Sequence, residues 1–127
     1  MAKRGKKKGS TAPDGFPEKA WNKLSESWRD AAQSKQTEEL EQEIIKAVRS
    51  MSNTSFDMKN DNKLKAAQED AKLLKSGYTE EIGGEKAKLD FCVYIMNTRG
   101  AKVSSSVQKA VSDAEDDVEE ADAATSD

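Results

Sequence analysis

From Phe16 to Gly100, apolar side chains return every three or four positions, and Pro17 is the single proline in that stretch. Such spacing gathers them on one face of an α-helix, whereas a half-buried strand needs strict alternation. An all-α fold follows, a small bundle of three or four helices spanning residues 16–100.

Asp14-Gly15 reads as a turn and Pro17 as a first helical residue, with Glu18 at the positive end of the helix dipole. From there Ala20, Trp21, Leu24, Trp28, Ala31 and Ala32 make one stripe, leaving Glu18, Lys19, Asn22, Lys23, Glu26 and Arg29 outside. Both tryptophans are expected in the core. Thr37 is placed to cap a second helix with Leu40, Ile44, Ala47, Val48 and Met51 inward; residues 33–36 hold neither Gly nor Pro, so the first two helices either fuse or, the favoured reading, part there at a kink or short break. Ser52-Asn53-Thr54-Ser55 is expected to end it, with Phe56 and Met58 tucking a loop against the core. A third helix is expected from Asp61 along Leu64, Ala67, Ala71 and Leu74, with Leu73 beside them, to a stop at Ser76-Gly77. A fourth, capped by Thr79, carries Tyr78, Ile82, Leu89, Cys92, Val93 and Met96 to Arg99-Gly100. Residues 89–96 are apolar nearly all round, which suits the centre of the bundle or a homo-oligomer interface. Gly83-Gly84 marks a kink or a close helix crossing.

Charge separates the ends from this middle. Residues 1–10 carry Lys3, Arg4, Lys6, Lys7 and Lys8 and no acid, while residues 111–127 carry eight acids and no base. With those removed, the 21 basic and 24 acidic residues of the chain reduce to sixteen of each sign between the two ends. Like-charged segments with few large apolar groups cannot offset the entropy of ordering. Residues 1–15 are therefore expected to be a disordered basic arm and residues 101–127 an acidic, partly helical tail. After a cap at Ser104 to Ser106, Val103, Val107, Val111, Ala114 and Val118 give that tail a narrow stripe, suited to weak packing or to ordering on a partner.

The chemistry open to the chain is limited. It has no histidine and one cysteine, Cys92, which excludes an internal disulfide and leaves too few ligands for zinc. No serine or cysteine has an imidazole to activate it, and Gly83-Gly84 lacks the GxxxxGK[ST] pattern of a phosphate loop. The acidic block lacks the ligand order and glycine of an EF-hand. A non-enzymatic protein without metal or cofactor is expected. No window approaches the roughly 20 apolar residues of a membrane span, and no apolar stretch follows the first lysines, so a cytoplasmic location without membrane contact is expected.

The block Asp113, Glu115, Asp116, Asp117, Glu119, Glu120 and Asp122 resembles in composition the acidic tails of bacterial single-stranded-DNA-binding proteins. It ends in Ala124-Thr125-Ser126-Asp127 without the acidic–apolar tip of those tails, so no residue role transfers. The run Asp61-Asn62-Lys63-Leu64 through Leu73-Leu74, Tyr78, Ile82, Lys86, Lys88 and Arg99-Gly100 resembles small phage-encoded helical proteins of unknown function. That resemblance covers about a third of the chain, departs from the pattern at Gly83-Gly84, and implies a phage origin and a host-cytoplasm location but no activity. The charge pattern points to an accessory or adaptor protein that joins a protein partner to nucleic acid. Lys3, Arg4, Lys6, Lys7 and Lys8 would contact phosphate, and the acids from Asp113 to Asp122 would contact the partner. The alternatives are an acidic, nucleic-acid-mimicking inhibitor or regulator of a host nucleic-acid enzyme and an oligomeric structural protein of a virion.

Overall fold

The computed structural model describes residues 12–65 and 71–125, and within them every regular element is an α-helix. The helices are α1 (Glu18–Asn22), α2 (Glu26–Ser34), α3 (Thr37–Lys59), α4 (Asn62–Lys65), α5 (Ala71–Thr98) and α6 (Ser105–Ala124). The all-α bundle expected from periodicity is what forms. No helix among the described residues is long and apolar enough to cross a membrane.

α3 is the common neighbour, packing along both α5 and α6. Its buried residues Leu40, Ile44, Ala47, Met51, Thr54 and Met58 follow one stripe, and Val48 and Ser55 widen that stripe enough to face two helices. α5 runs antiparallel to α3, so Arg99 at its C-terminal end donates through Nη1 to the carbonyl of Lys35 at 2.8 Å, just ahead of α3. α6 lies parallel to α3. The Ser104 N–H donates to Glu41 at 2.7 Å and Ser52 Oγ donates to Asp117 at 3.0 Å, a nearly constant offset along the pair.

Local signals account for the helix ends. Gln36, one residue ahead of the expected Thr37, is the N-cap of α3, and its N–H donates to Glu39 Oε1 at 2.9 Å. The break expected over residues 33–36 is present at Lys35-Gln36. α5 stops at Gly100, whose φ of 74° is the left-handed conformation glycine favours. Ala101 and Gly100 there donate to the carbonyls of Met96 at 2.9 Å and Asn97 at 3.0 Å, a Schellman motif.

Several elements depart from expectation. Ser52-Asn53-Thr54-Ser55 does not end α3; Thr54 and Ser55 are buried within it. In a continuous helix, positions two apart point about 200° away from each other. Met58 is accordingly buried while Phe56 is 63% exposed, and the two do not tuck in together. Ser76-Gly77 does not end a helix either: α5 runs through it and through Gly83-Gly84. Thr79, expected as a cap, donates its hydroxyl to the carbonyl of Lys75 at 2.8 Å, one turn back in the same helix. A further break falls at Lys23 to Ser25, where Ser25 Oγ accepts from the N–H of Trp28 at 3.2 Å. That break rotates α2 relative to α1, so Arg29 turns inward and Ala31 is exposed.

Residues 105–124, expected to pack weakly, form a continuous helix against α3 with Val107, Ala114 and Ala121 buried at a spacing of seven. Small side chains let two helix backbones approach, which offsets the narrowness of the stripe.

Candidate functional site

The five basic residues singled out for phosphate contact, Lys3, Arg4, Lys6, Lys7 and Lys8, lie outside the described residues. The segment that follows them is fixed to the bundle. The N–H of Phe16 donates to the carbonyl of Pro13 at 3.1 Å, closing a turn with Gly15 at a φ of 87°. Phe16 is buried, with ring centroids 5.4 Å from both Phe91 and Tyr94 and 6.4 Å from Trp21. Tyr94 Oη donates to the carbonyl of Asp14 at 2.9 Å. Burial of a phenylalanine side chain stabilises by about 1.5–3 kcal/mol, so this root is held firmly against α5.

The same aromatic group takes up the apolar run of α5. Trp21 meets Phe91 edge-on at 5.4 Å, and half-buried Trp28 lies 6.2 Å from Phe91. Both tryptophans are core residues, as expected. Arg29 stacks its guanidinium 4.1 Å from the centre of the Trp21 ring and donates to the Trp21 carbonyl at 3.4 Å. The run from Leu89 to Met96 is thus covered by α3 on one side and by Phe16, Trp21 and Trp28 on another. Beside the root, Pro13, Trp21, Gln33, Tyr94, Thr98 and Arg99 border an open cavity of about 450 Å³. The Arg99 guanidinium there serves the end of α2, donating to the carbonyls of Gln33 at 3.0 Å and Lys35 at 2.8 Å.

The acidic residues expected to bind a partner are divided by the helix they form. Glu120 pairs with Lys59 at 3.3 Å, Asp122 with Lys75 at 3.2 Å and Glu115 with Lys86 at 3.2 Å. Asp117 accepts from Ser52, and Asp113 pairs along its own helix with Lys109 at 3.5 Å. Asp116 and Glu119 are exposed, with no cation partner among the described residues. Lys86 bridges Glu115 and Asp90, the latter at 3.3 Å. Burial works to lower the Lys86 pKa, but the Asp90 and Glu115 carboxylates outweigh it and the net direction is upward. Burial raises the Asp90 pKa, with Lys86 opposing.

Cys92 is fully buried, and burial, aided by the Glu43 carboxylate, pushes its thiol up to about 12. A thiol held so far from ionisation is not a nucleophile at neutral pH. Among the described residues no group of three or more His, Cys, Asp or Glu side chains is placed to hold a metal ion. Sequence reasoning missed Asp14, Tyr94 and Arg29 as parts of the root. The one available signal was a tyrosine inside an otherwise apolar helical run, since a tyrosine hydroxyl in such a place usually finds an acceptor.

The chain is therefore a small helical bundle with a firmly anchored N-terminal root and a partly neutralised acidic helix. Comparison with protein-family models, with characterised proteins and with solved structures finds no match to it.

Proposed function

We propose that this protein is a non-enzymatic adaptor that joins a protein partner to nucleic acid, with Lys3, Arg4, Lys6, Lys7 and Lys8 contacting phosphate. The observation that supports it is the anchored root: five cations lie directly ahead of a turn pinned by Phe16 and the Tyr94 to Asp14 hydrogen bond. A tether fixed at its base keeps any nucleic acid it holds at one end of the bundle. The exposed acids Asp116 and Glu119 and the outer edge of α6 remain for the protein partner.

The rival reading, in which α6 imitates nucleic acid, is weakened by charge density. Residues 113–122 carry seven acids over about 15 Å of helix. Lys59, Lys75, Lys86 and Lys109 each lie within 3.5 Å of one of them, and with Asp90, which shares Lys86, counted among the acids a net charge of minus four is left. One net charge per about 4 Å falls well short of the one per ~1.7 Å of duplex DNA.

The test is binding of labelled single- and double-stranded DNA and RNA across a salt series. The wild-type chain is compared with one in which all five arm cations are Gln. Five phosphate contacts from the arm contribute at most about −4.5 to the log–log salt slope on duplex DNA, a contribution lost in the neutralised chain. Equal binding by both chains, or none at low salt, would overturn the proposal.

A further inference from the structure

The root is one end of a longer strap. Residues 13–24 run antiparallel along α5, from Pro13 beside Thr98 and Arg99, through Phe16 on Phe91 and Tyr94, to Lys23 at Gly83. At Gly83 the missing side chain leaves a seat for a lysine. A Cβ built there would lie 3.4 Å from Lys23 Nζ and 3.5 Å from its Cε. Lys23 thereby joins Lys72, Lys75, Ser76, Thr79 and Glu80 around an open cleft of about 350 Å³.

The charges in this cleft are arranged unevenly. Lys75 is tied to Asp122 at 3.2 Å and the Thr79 hydroxyl proton is used by the Lys75 carbonyl, so neither is a ready donor to a ligand. Lys23 and Lys72 are exposed and have no carboxylate partner among the described residues. Lys19, one turn before Lys23, is exposed but does not line the cleft, and among the described residues Glu80 is the acid that does. Two ammonium groups with no carboxylate partner among the described residues, beside a serine hydroxyl, form a receptor for an anion with several oxygens, and no aromatic side chain among the described residues lines the cleft to stack on a base.

We infer that the cleft of Lys23 and Lys72 is a second phosphate site, taking the sugar–phosphate backbone of the nucleic acid that the basic arm contacts. The inference deepens the adaptor reading and rests on it for the identity of the polyanion. The cleft and the arm's root lie on the same strap. Tyr94 and Thr79 are fifteen residues apart on α5, about 22 Å along the helix. That is shorter than a duplex turn of about 34 Å, so one duplex can meet both through the phosphates of its two strands, and two fixed contacts orient the bundle where a tether alone cannot.

The experiment measures salt-dependent binding of a labelled DNA duplex to full-length chains of equal helicity by circular dichroism. The chains are the wild type, Lys23→Gln/Lys72→Gln, the arm-neutralised chain, the two sets combined, and Lys46→Gln/Lys109→Gln as a charge-matched control. Lys46 and Lys109 are exposed and do not line the cleft. Loss of two phosphate contacts flattens the log–log salt slope by about 1.8, which is roughly tenfold in affinity over a fourfold change in salt. That flattening is expected from Lys23→Gln/Lys72→Gln with or without the arm's charges, and not from the control. An unchanged slope in that variant, with binding lost on arm neutralisation, overturns the cleft and leaves the arm. An equal effect from the control overturns it too, since net charge alone then acts. Full binding by the arm-neutralised chain, lost with Lys23→Gln/Lys72→Gln, keeps the cleft and overturns the arm. No binding by any chain at low salt overturns both.

Discussion

Cys92 offers a sharp test of how tightly the bundle closes. Its thiol is fully buried and pushed from an ordinary value of 9.0 up to about 12. At about pH 8 the native thiol is then roughly one part in ten thousand thiolate, against about one part in ten once unfolded. Reaction with a thiol reagent should be slower in the native state by about a thousandfold from ionisation alone, and by more once access is counted. The same shift couples stability to alkali. Between about pH 9 and pH 12 the unfolded chain releases a proton that the native chain keeps. Stability supplied by the protonated thiol is therefore complete below pH 9 and falls as pH rises, by about 1.4 kcal/mol per unit. Urea unfolding of the wild type and of Cys92→Ala isolates this, because Tyr78, raised chiefly by its hydrogen bond to Asp61, and Lys86 titrate alike in both. The wild type should lose about 1.4 kcal/mol relative to Cys92→Ala between pH 8 and pH 10. A constant difference over that range, or native labelling as fast as unfolded labelling, would refute the reasoning.

Two further substitutions probe the helices. Gly77 is exposed in the interior of α5 with nothing within 4 Å of a built Cβ, so Gly77→Ala should stabilise by about 0.8–1 kcal/mol and raise Tm by several degrees in a thermal melt. Ala114, 1% exposed on the inner face of α6, has no room for a carboxylate. Ala114→Asp should cost at least about 3 kcal/mol and bring rapid amide exchange across residues 105–124, whereas unchanged protection would show that α6 is not held by that face.

The helical class was legible because it rests on periodicity, which survives local irregularity. The element ends were less so, since polar and small residues have two uses. Ser52 and Ser55 read as a break, yet in α3 the first bonds Asp117 and the second is buried, because a neighbouring helix rewards small side chains as a loop would. At Gly77 a local preference of about 1 kcal/mol is outweighed by the flanking turns, where Tyr78 is held to Asp61 at 2.8 Å and Ile82 is buried. The acidic block was visible as composition, but its neutralisation depends on Lys59, Lys75 and Lys86, which come from two other helices and are brought to it only by the fold. The lysine cleft was hidden for the same reason: Lys23 and Lys72 are far apart in the chain and line one cleft only in the fold, with Lys23 seated against a glycine that looked like a kink.

The parallel pairing of α3 with α6 also sets the order in which the core can close. The contacts from Glu41 to Ser104 and from Ser52 to Asp117 join residues 63 and 65 positions apart. During synthesis at about 5–20 residues per second, α3 and α5 are complete some seconds before α6 follows. Until it does, the α3 face that α6 covers stays open to water. A nascent chain stalled near Gly100 would display that face to chaperones and to other stalled chains, and the last twenty residues of helix end the exposure.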